Sequence, residues 1–320
     1  MIVRWGLSEL RALLREVGSA RPFLIASDRW STLDLRPIGR WSEIPSDRID
    51  EIAAAAAEAD GLVAVGGGSA IDLAKAVSAV TKLPVVSVPT TYSGAEWPPA
   101  FGIRDSARRM RGGGSAGCLA GIVYDPELTL GLPRPQSVGT ALNALAHCAE
   151  ALYVRGRNAE ADALALDGAR AIASALPRVA ADGHDRKARE ELLRGAASAG
   201  HALALAGLGL AHAMAQAIGG RYGLPHGAMN AICLPPALEF NQPVAGEQMA
   251  RFANAIAADD APAGVRDLAR LGGFERLRDF GVREEELDQI ADAAAQRAGA
   301  KANPRAASPA EISALYRAVF

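Results

Sequence analysis

The stretch LVAVGGGSAIDLAK, residues 62–75, decides the fold of this chain. A short apolar run, typical of a buried strand, leads into three glycines, and a serine then opens a run with helical periodicity. The pattern predicts a strand at residues 61–65 and a helix at residues 69–80. A strand that passes through a glycine turn directly into a helix is typical of βαβ units and a parallel sheet.

The same alternation of helix and strand continues on both sides of this stretch. It predicts helices at residues 8–17, capped by Ser8, and at residues 46–59, and strands at residues 22–26, 84–88 and 121–124. Residues 104–117, rich in Arg and Gly, are predicted to form a loop or a hairpin. Residues 1–133 are therefore predicted to form an α/β, Rossmann-like domain with a parallel sheet.

Beyond Pro133 the chain shows helical periodicity only. Helices are predicted at residues 136–154, 158–176, 186–207 and 209–218, with several more from residue 227 to the end. Half of all residues are hydrophobic but only 5% are aromatic, because alanine is so abundant. This composition favours close-packed helices, and residues 134–320 are predicted to form an all-α domain.

The composition excludes several classes of protein. The chain has 320 residues, with 34 Lys and Arg against 36 Asp and Glu and no long run of like charge, which disfavours nucleic acid as a partner. No apolar stretch approaches the length of a membrane span, and residues 1–18 lack the apolar core of a signal peptide. The three cysteines lack CxxC spacing, so neither a disulfide framework nor a thiolate zinc site is expected. These observations predict a cytoplasmic protein.

The glycine turn has the composition of a phosphate-binding loop. Gly66, Gly67 and Gly68 remove the Cβ atoms that would keep a phosphate from the backbone amides, and the helix beginning at Ser69 directs its N-terminal N–H groups at an anion. The turn matches neither GxGxxG nor a Walker A loop. The alternative is a tight turn that needs positive φ.

A second turn of similar character follows the next predicted strand. Thr90, Thr91 and Ser93 would lie at the same carboxyl edge of the sheet, where open α/β sheets bind ligands. Asp28 follows the strand at residues 22–26 and could accept hydrogen bonds from an adenosine ribose, which favours NAD(H) over NADP(H). The alternative for Asp28 is an ordinary turn or N-cap aspartate.

Three histidines and one asparagine have a spacing that could bring them together. Asn143 and His147 are four residues apart on one helical face, and glycines and a proline between His212 and His226 allow the chain to fold back. Neutral imidazoles suit zinc or ferrous iron, although an amide oxygen adds no negative charge. His184 and His201 are predicted to be surface or core residues.

Several motifs together resemble the iron-containing alcohol dehydrogenase superfamily. They are GGGSAIDLAK at residues 66–75, PTTYSGAE at 89–96, NALAHCAEALY at 143–153, and residues 212–227, which end in GGRYGLPHG. Within the superfamily, NALAHCAEALY, GLPHG and the late Asn-Pro-Arg at residues 303–305 look most like maleylacetate reductases. The resemblance covers nearly the whole chain.

The resemblance implies a nucleotide-binding domain joined to a helical domain, with nicotinamide and substrate between them, and a homodimer. It implies cofactor contacts from Asp28, Gly66, Gly67, Gly68, Ser69, Asp72, Thr90, Thr91 and Ser93. Asp72 could alternatively form a helical ion pair with Lys75. Metal-dependent relatives bind iron or zinc through an Asp and three His, which match Asn143, His147, His212 and His226.

Two positions depart from the metal-dependent pattern. Asn143 replaces the Asp, as in maleylacetate reductases, and Gln216 replaces a histidine found four residues after the position of His212. Gln216 cannot exchange a proton near neutral pH. General acid work is therefore assigned to His147, His212, His226, Tyr92 or water. Without a metal, the imidazoles would replace the Lewis acid, helped by Arg108, Arg109 or Arg111 from the loop at residues 104–117; the alternative for these arginines is a solvated basic loop.

The leading hypothesis is hydride transfer from NAD(P)H to an enone, an enoate or a ketone, with a small anionic or carbonyl substrate and without a metal. Two alternatives stay open at this point. One is an iron- or zinc-dependent alcohol dehydrogenase that tolerates Asn143. The other is a non-catalytic dinucleotide-binding protein that has lost its chemistry at Asn143 and Gln216.

Overall fold

The computed structural model describes residues 1–320, and the chain divides into two compact units. The first comprises residues 1–91 and 95–129, and the second comprises residues 92–94 and 130–320. The predicted α/β class of the N-terminal part and the all-α class of the C-terminal part are both confirmed.

The first unit contains a six-stranded parallel sheet with the order β1-β8-β5-β4-β2-β3. Its strands are β1 Ile2–Trp5, β2 Pro22–Ile25, β3 Gly39–Trp41, β4 Gly61–Gly66, β5 Val85–Pro89 and β8 Leu119–Tyr124. Its helices are α1 Leu10–Glu16, α2 Ile49–Ala55 and α3 Gly68–Thr81. The two edge strands, β1 and β3, were not predicted, because they are only four and three residues long and an arginine interrupts each of them.

Alternating side chains along the central strands form two cores, one on each face of the sheet. Phe23 and Leu62 pack with α2 and α3, whereas Leu24 and Val63 pack with α1. Successive strand residues point to opposite faces, so a parallel sheet that is covered on both faces needs continuous apolar strands. This requirement accounts for the run that precedes the three glycines.

Residues 104–117 belong in part to a hairpin of β6 Ala100–Arg104 and β7 Met110–Ser115. The buried Lys75 of α3 holds it: Nζ donates to the Ala100 carbonyl at 2.7 Å and lies 2.9 Å from Asp72 Oδ1. Asp72 also accepts from the Gly102 amide at 3.2 Å. The predicted Asp72–Lys75 ion pair is therefore present, and it fastens the hairpin to α3.

The predicted cap at Ser8 is wrong. Leu7–Glu9 form a short 3₁₀ helix, and α1 begins at Leu10 without a side-chain cap. The Leu7 amide donates to an Asp125 carboxylate oxygen at 2.7 Å instead. A distant carboxylate thus supplies the acceptor that the local serine was expected to supply.

The second unit is helical throughout. Its helices are α4 Arg134–Ala151, α5 Ala159–Ala181, α6 Arg186–Ala206, α7 Leu210–Tyr222, α8 His226–Ala255 with a kink at Ala245, α9 Ala261–Arg270, α10 Leu287–Ala295, α11 Ala298–Ala302 and α12 Pro309–Ala318. No single helix is both long and apolar enough to cross a membrane; only α6 and α7 together, bent by 102°, meet the criteria of length and composition.

Close backbone approach brings α8 onto α4. A Cβ atom on Gly227, in the first turn of α8, would collide with the Gly139 carbonyl of α4. Glycine at this position therefore allows the two helices to touch through their backbones. The contact sets His226, the first residue of α8, beside the helix that carries Asn143 and His147.

Candidate active site

In the first unit, the two predicted ligand-binding turns lie side by side. β4 and β5 are neighbours in parallel register, with Gly66 opposite Pro89, and the Thr90 amide donates to the Gly66 carbonyl at 2.9 Å. The carboxyl ends of these two strands therefore bring the glycine turn and the threonine turn together, as expected for a ligand-binding edge.

Gly67 and the Thr91 side chain approach each other closely at the start of α3. Gly67 is the N-cap of α3, and a Cβ atom there would lie 2.9 Å from Thr91 Cγ2 and 3.2 Å from Thr91 Oγ1. Thr91 Oγ1 is buried and has no hydrogen-bond partner in the chain. The free amides and positive dipole at the start of α3 favour an anion there. These residues fit the pyrophosphate of a dinucleotide.

The carboxylates predicted to contact the cofactor have different surroundings. Asp28 follows β2, with its side chain 86% exposed, and its nearest cation is Arg40 at 3.7 Å. Arg40 also donates to the Ala26 and Ser27 carbonyls. Asp72 is engaged by Lys75 and the hairpin. Asp28 is thus an accessible carboxylate at the carboxyl end of a sheet strand. The Asp72 carboxylate, by contrast, is already bound by Lys75 and by the Gly102 amide of the hairpin.

In the second unit, the predicted histidines and asparagine come together. Asn143 and His147 lie on α4, His212 on α7 and His226 at the start of α8. The rings of His147 and His212 stack at 4.7 Å between centroids, and those of His212 and His226 are 5.8 Å apart. We call these four residues and Asn230 the imidazole cluster.

Asn143 has a defined orientation at the centre of the imidazole cluster. Its Nδ2 donates to the Ser93 carbonyl at 3.0 Å, so its Oδ1 faces the other way. That oxygen accepts from Asn230 Nδ2 at 2.7 Å and lies 3.3 Å from His212 Nε2. Because an amide oxygen can only accept, this contact is a hydrogen bond only when the His212 ring carries a hydrogen on Nε2.

His212 also contacts a buried carboxylate. Its Nδ1 lies 2.6 Å from Glu150 Oε2, and both side chains are almost completely buried. Glu150 also accepts from the backbone amides of Gly209 at 2.8 Å and His212 at 3.1 Å. Glu150 thus fixes the orientation of the His212 ring.

The other two imidazoles differ in exposure. His147 is buried, and burial, together with the nearby His212 and His226, lowers its pKa well below the usual value, so this ring is neutral. His226 is partly exposed, and its Nε2 lies 3.0 Å from Asn230 Nδ2. The imidazole cluster is therefore closed at His147 and accessible at His226.

The imidazole cluster does not fit a dedicated iron or zinc site. The oxygen that faces the rings is the neutral Asn143 Oδ1, which already accepts from Asn230 Nδ2. No group of three or more His, Cys, Asp or Glu has the arrangement of a metal site. Metal ligands must be deprotonated, and anionic ligands strengthen binding.

Two further predicted residues are held by arginines. Tyr92 is fully buried, and its hydroxyl accepts from Arg189 Nη1 at 3.1 Å. Gln216 lies one helical turn after His212 on α7 and accepts from Arg297 Nη1 at 3.3 Å. The Arg108, Arg109 and Arg111 segment belongs to the hairpin of the first unit, where Arg111 pairs with Asp105.

Sequence reasoning missed Glu150, Asn230, Arg189 and Arg297. The first two carried a usable signal. Asn143, His147 and Glu150 are spaced i, i+4, i+7 along α4, and His226 and Asn230 are spaced i, i+4 along α8, so each set shares one helical face. Arg189 and Arg297 carried no such signal, because their partners are distant in sequence.

Comparison with known proteins yields a consistent family assignment. A model of iron-containing alcohol dehydrogenases matches residues 40–122, and a model of the C-terminal part of the Fe-containing alcohol dehydrogenase family matches residues 137–320. The second match alone covers more than half of the chain.

Relatives and solved structures agree with the family models. The maleylacetate reductase of Burkholderia cepacia is 35% identical over 310 residues, which is 91% of this chain and 88% of that protein. An iron-containing alcohol dehydrogenase structure from Corynebacterium glutamicum has a TM-score of 0.91 and 32% identity, covering 100% of this chain and 94% of that one. A maleylacetate reductase structure from Agrobacterium tumefaciens has a TM-score of 0.87 and 31% identity, covering 100% and 95%.

Proposed function

This chain belongs to the iron-containing alcohol dehydrogenase family, and from that membership we propose that it is an NAD(P)H-dependent reductase of the maleylacetate reductase type. The proposed reaction is hydride transfer to an electron-poor C=C bond of an enone or enoate, or to a ketone. One observation carries this proposal: His147 and His212 contact the Asn143 amide and His226 contacts Asn230, in a chain that matches a maleylacetate reductase over 91% of its length.

The first unit would hold the cofactor. The backbone at Gly67, Gly68 and Ser69 would bind the pyrophosphate, and the Thr91 hydroxyl would gain the partner that the chain does not give it. We propose NAD(H) rather than NADP(H), because the exposed Asp28 carboxylate would accept from a ribose and repel a 2′-phosphate. When bound, the dinucleotide supplies the hydride.

The imidazole cluster would stabilise the negative charge that develops on the substrate oxygen. His226 is its partly exposed imidazole. Because Asn230 Nδ2 faces its Nε2, the buried Nδ1 would be the nitrogen that donates to that oxygen. Glu150 would hold the His212 ring in position within the imidazole cluster. Preorganised donors of this kind in a water-poor site are a large source of rate enhancement. We propose that these residues act without a metal.

Turnover measurements test this function directly. The purified protein is mixed with NADH or NADPH and maleylacetate, and the loss of nicotinamide absorbance is followed with and without a chelator. We expect turnover with NADH that the chelator does not reduce. Absence of turnover on any enone or ketone would favour a non-catalytic protein, and stoichiometric iron or zinc lost together with activity would favour an alcohol dehydrogenase. The homodimer and the cytoplasmic location stay predictions.

A further inference from the structure

Arg297 is a partly buried cation for which the chain provides no anion. It immediately precedes α11, and it forms no ion pair with any carboxylate. Arg251 and Arg305 of the same unit pair with Asp162 and Glu311. The more deeply buried Arg189 has no carboxylate either, but its Nε, Nη1 and Nη2 all donate to oxygens of the chain. A charge taken out of water is costly unless it is paired, and burial lowers the pKa of Arg297.

The hydrogen-bonding capacity of Arg297 is also incompletely used. Its Nη1 donates to Gln216 Oε1 at 3.3 Å, and its buried Nε has no acceptor in the chain. A guanidinium carries five N–H donors in a planar arrangement that matches a carboxylate. The neutral amide of Gln216 holds the side chain in place but leaves its charge uncompensated.

Gln216 places this guanidinium next to the imidazole cluster. It follows His212 by four residues on α7, so the two side chains share a helical face and their Cα atoms are about 6 Å apart along the axis. His212 is 1% exposed, whereas Gln216 is partly exposed. The helical face that carries the buried imidazole therefore becomes accessible at the residue that Arg297 contacts.

The backbone that carries Arg297 is fixed to the beginning of the same helix. A Cβ atom on Gly299 of α11 would collide with the Gly209 carbonyl, directly before α7. The Gly209 amide donates to Glu150, which holds His212. Gly209 thus contacts both the helix that follows Arg297 and the carboxylate that holds the His212 ring.

We propose that Arg297 binds a carboxylate group of the substrate while the reacting C=C or C=O group lies at the imidazole cluster. This inference rests on the proposed reductase function and identifies the residue that selects unsaturated or oxo acids over neutral ketones. The substrate carboxylate supplies the negative charge and the acceptors that Arg297 lacks in the chain. Charge-assisted pairs of this type are both stronger and more directional than neutral hydrogen bonds.

The test compares an acidic and a neutral substrate in three variants. Arg297→Met removes the guanidinium, Arg297→Lys keeps the charge without the planar donors, and Arg170→Met removes an exposed arginine that pairs with Asp167 on α5. With NADH, we expect Arg297→Met to lower kcat/KM for maleylacetate by about 10- to 100-fold, chiefly through KM. Arg297→Lys should lose less, and Arg170→Met should match the wild type.

Cyclohex-2-enone, a neutral enone, serves as the second substrate. It distinguishes a loss of carboxylate recognition from a general loss of activity caused by structural damage. We expect its kcat/KM to change by less than about threefold in Arg297→Met, since the interaction lost is with a carboxylate. Equal losses for the acidic and the neutral substrate would overturn the proposal, because a merely structural role predicts them. Unchanged kinetics for maleylacetate would also overturn it. Thermal unfolding of each variant monitors folding, and Arg297→Lys carries the comparison if Arg297→Met is unfolded.

A binding measurement keeps this inference separate from the proposed function. Maleate, an unsaturated dicarboxylate, is titrated calorimetrically into the protein saturated with NADH. We expect its Kd to rise by about tenfold or more in Arg297→Met but not in Arg170→Met. If the wild type reduces no substrate, the proposed function fails while this result still decides the role of Arg297. An equal Kd in wild type and Arg297→Met would contradict that role.

Discussion

At the scale of single residues, Asn143 decides what kind of site the imidazoles form. Its nitrogen donates to the Ser93 carbonyl, and its oxygen accepts from Asn230 and faces His212 Nε2. An aspartate cannot fill both roles, because one of its oxygens would face the carbonyl oxygen of Ser93. A cation would relieve that repulsion. The amide therefore gives a hydrogen-bonded network where a carboxylate would give a set of metal ligands.

The substitution Asn143→Asp should convert one kind of site into the other. Without metal, we expect the variant to lose about 1–3 kcal/mol of unfolding free energy, because a buried hydrogen bond becomes a repulsive contact. Zinc should raise its unfolding temperature, measured by calorimetry, and should leave the wild type unchanged. Asn158→Asp, at the N-cap of α5, is the matched control because Asp also caps helices. An equal zinc response in wild type and Asn143→Asp would contradict the prediction.

Asp28 is expected to set the choice between the two nicotinamide cofactors. Asp28→Asn removes an exposed negative charge at the end of β2, so it should weaken ribose binding and relieve repulsion of a 2′-phosphate. We expect the ratio of kcat/KM for NADH to that for NADPH to fall by about tenfold. Asp34→Asn, which removes another exposed acid, is the control. A ratio that does not change would show that Asp28 does not contact the ribose.

At the scale of secondary-structure elements, the junction of β4 and α3 forms the cofactor cradle. β4 ends at Gly66, α3 begins at Gly68, and Gly67 between them faces Thr91 from the neighbouring turn. The position of Thr91 follows from the pairing of β4 with β5. The cradle is therefore a product of two adjacent strands and one helix terminus.

The substitution Gly67→Ala should close this cradle with little effect on folding. Gly67 has φ −83°, which alanine adopts without strain, so the added Cβ acts mainly through its 2.9 Å contact with Thr91 Cγ2. We expect NADH to bind about tenfold more weakly, measured by fluorescence titration. Gly112→Ala in β7, where a Cβ meets nothing within 4 Å, is the control and should bind NADH normally. Normal binding by Gly67→Ala would exclude this turn as the phosphate site.

At the scale of the whole molecule, buried polar groups connect segments that are far apart in sequence. In the first unit, Tyr124 donates to Glu96 at 2.6 Å and accepts from the Trp97 indole at 2.8 Å. Glu96 is almost completely buried, and its Oε2 has no partner. Burial raises the pKa of Glu96 above its usual value of 4.5. Unfolding exposes this carboxyl group to water, so its titration affects the stability of the fold.

The substitution Glu96→Gln should therefore remove a pH dependence of stability. The folded state holds the Glu96 proton more tightly than the unfolded state, so the favourable contribution is complete below about pH 4.5 and declines as the pH rises toward the higher folded pKa. Above pH 4.5, the unfolding free energy of wild type should fall relative to Glu96→Gln by up to about 1.4 kcal/mol per pH unit, measured by urea denaturation. Glu58→Gln, at an exposed site, should show the same pH dependence of the unfolding free energy as the wild type. If Glu96→Gln shows the same pH dependence of the unfolding free energy as the wild type, the prediction is wrong.

Much of the fold was predictable because its signals are local. The apolar strand, the three glycines and the helix at residues 62–75 indicate a parallel sheet by their order alone, and the absence of strand-like runs after Pro133 indicates helices. The edge strands β1 and β3 escaped prediction because an edge strand needs fewer apolar residues than a central one. The β1 and β3 segments become strands because they pair with neighbouring strands, and their own residues give little indication of it.

The features of the candidate site also divide into those that local sequence predicts and those that depend on contacts between distant residues. The sequence by itself determined which residues share a helical face, such as Asn143, His147 and Glu150, and it carries the motifs of the family. Only the tertiary structure decided which way the Asn143 amide points, that Glu150 holds His212 across 62 residues, and that Arg297 meets Gln216 across 81. Helical periodicity fixes neighbours within a few residues, whereas contacts between distant residues depend on how helices pack and which hydrogen bonds their burial demands.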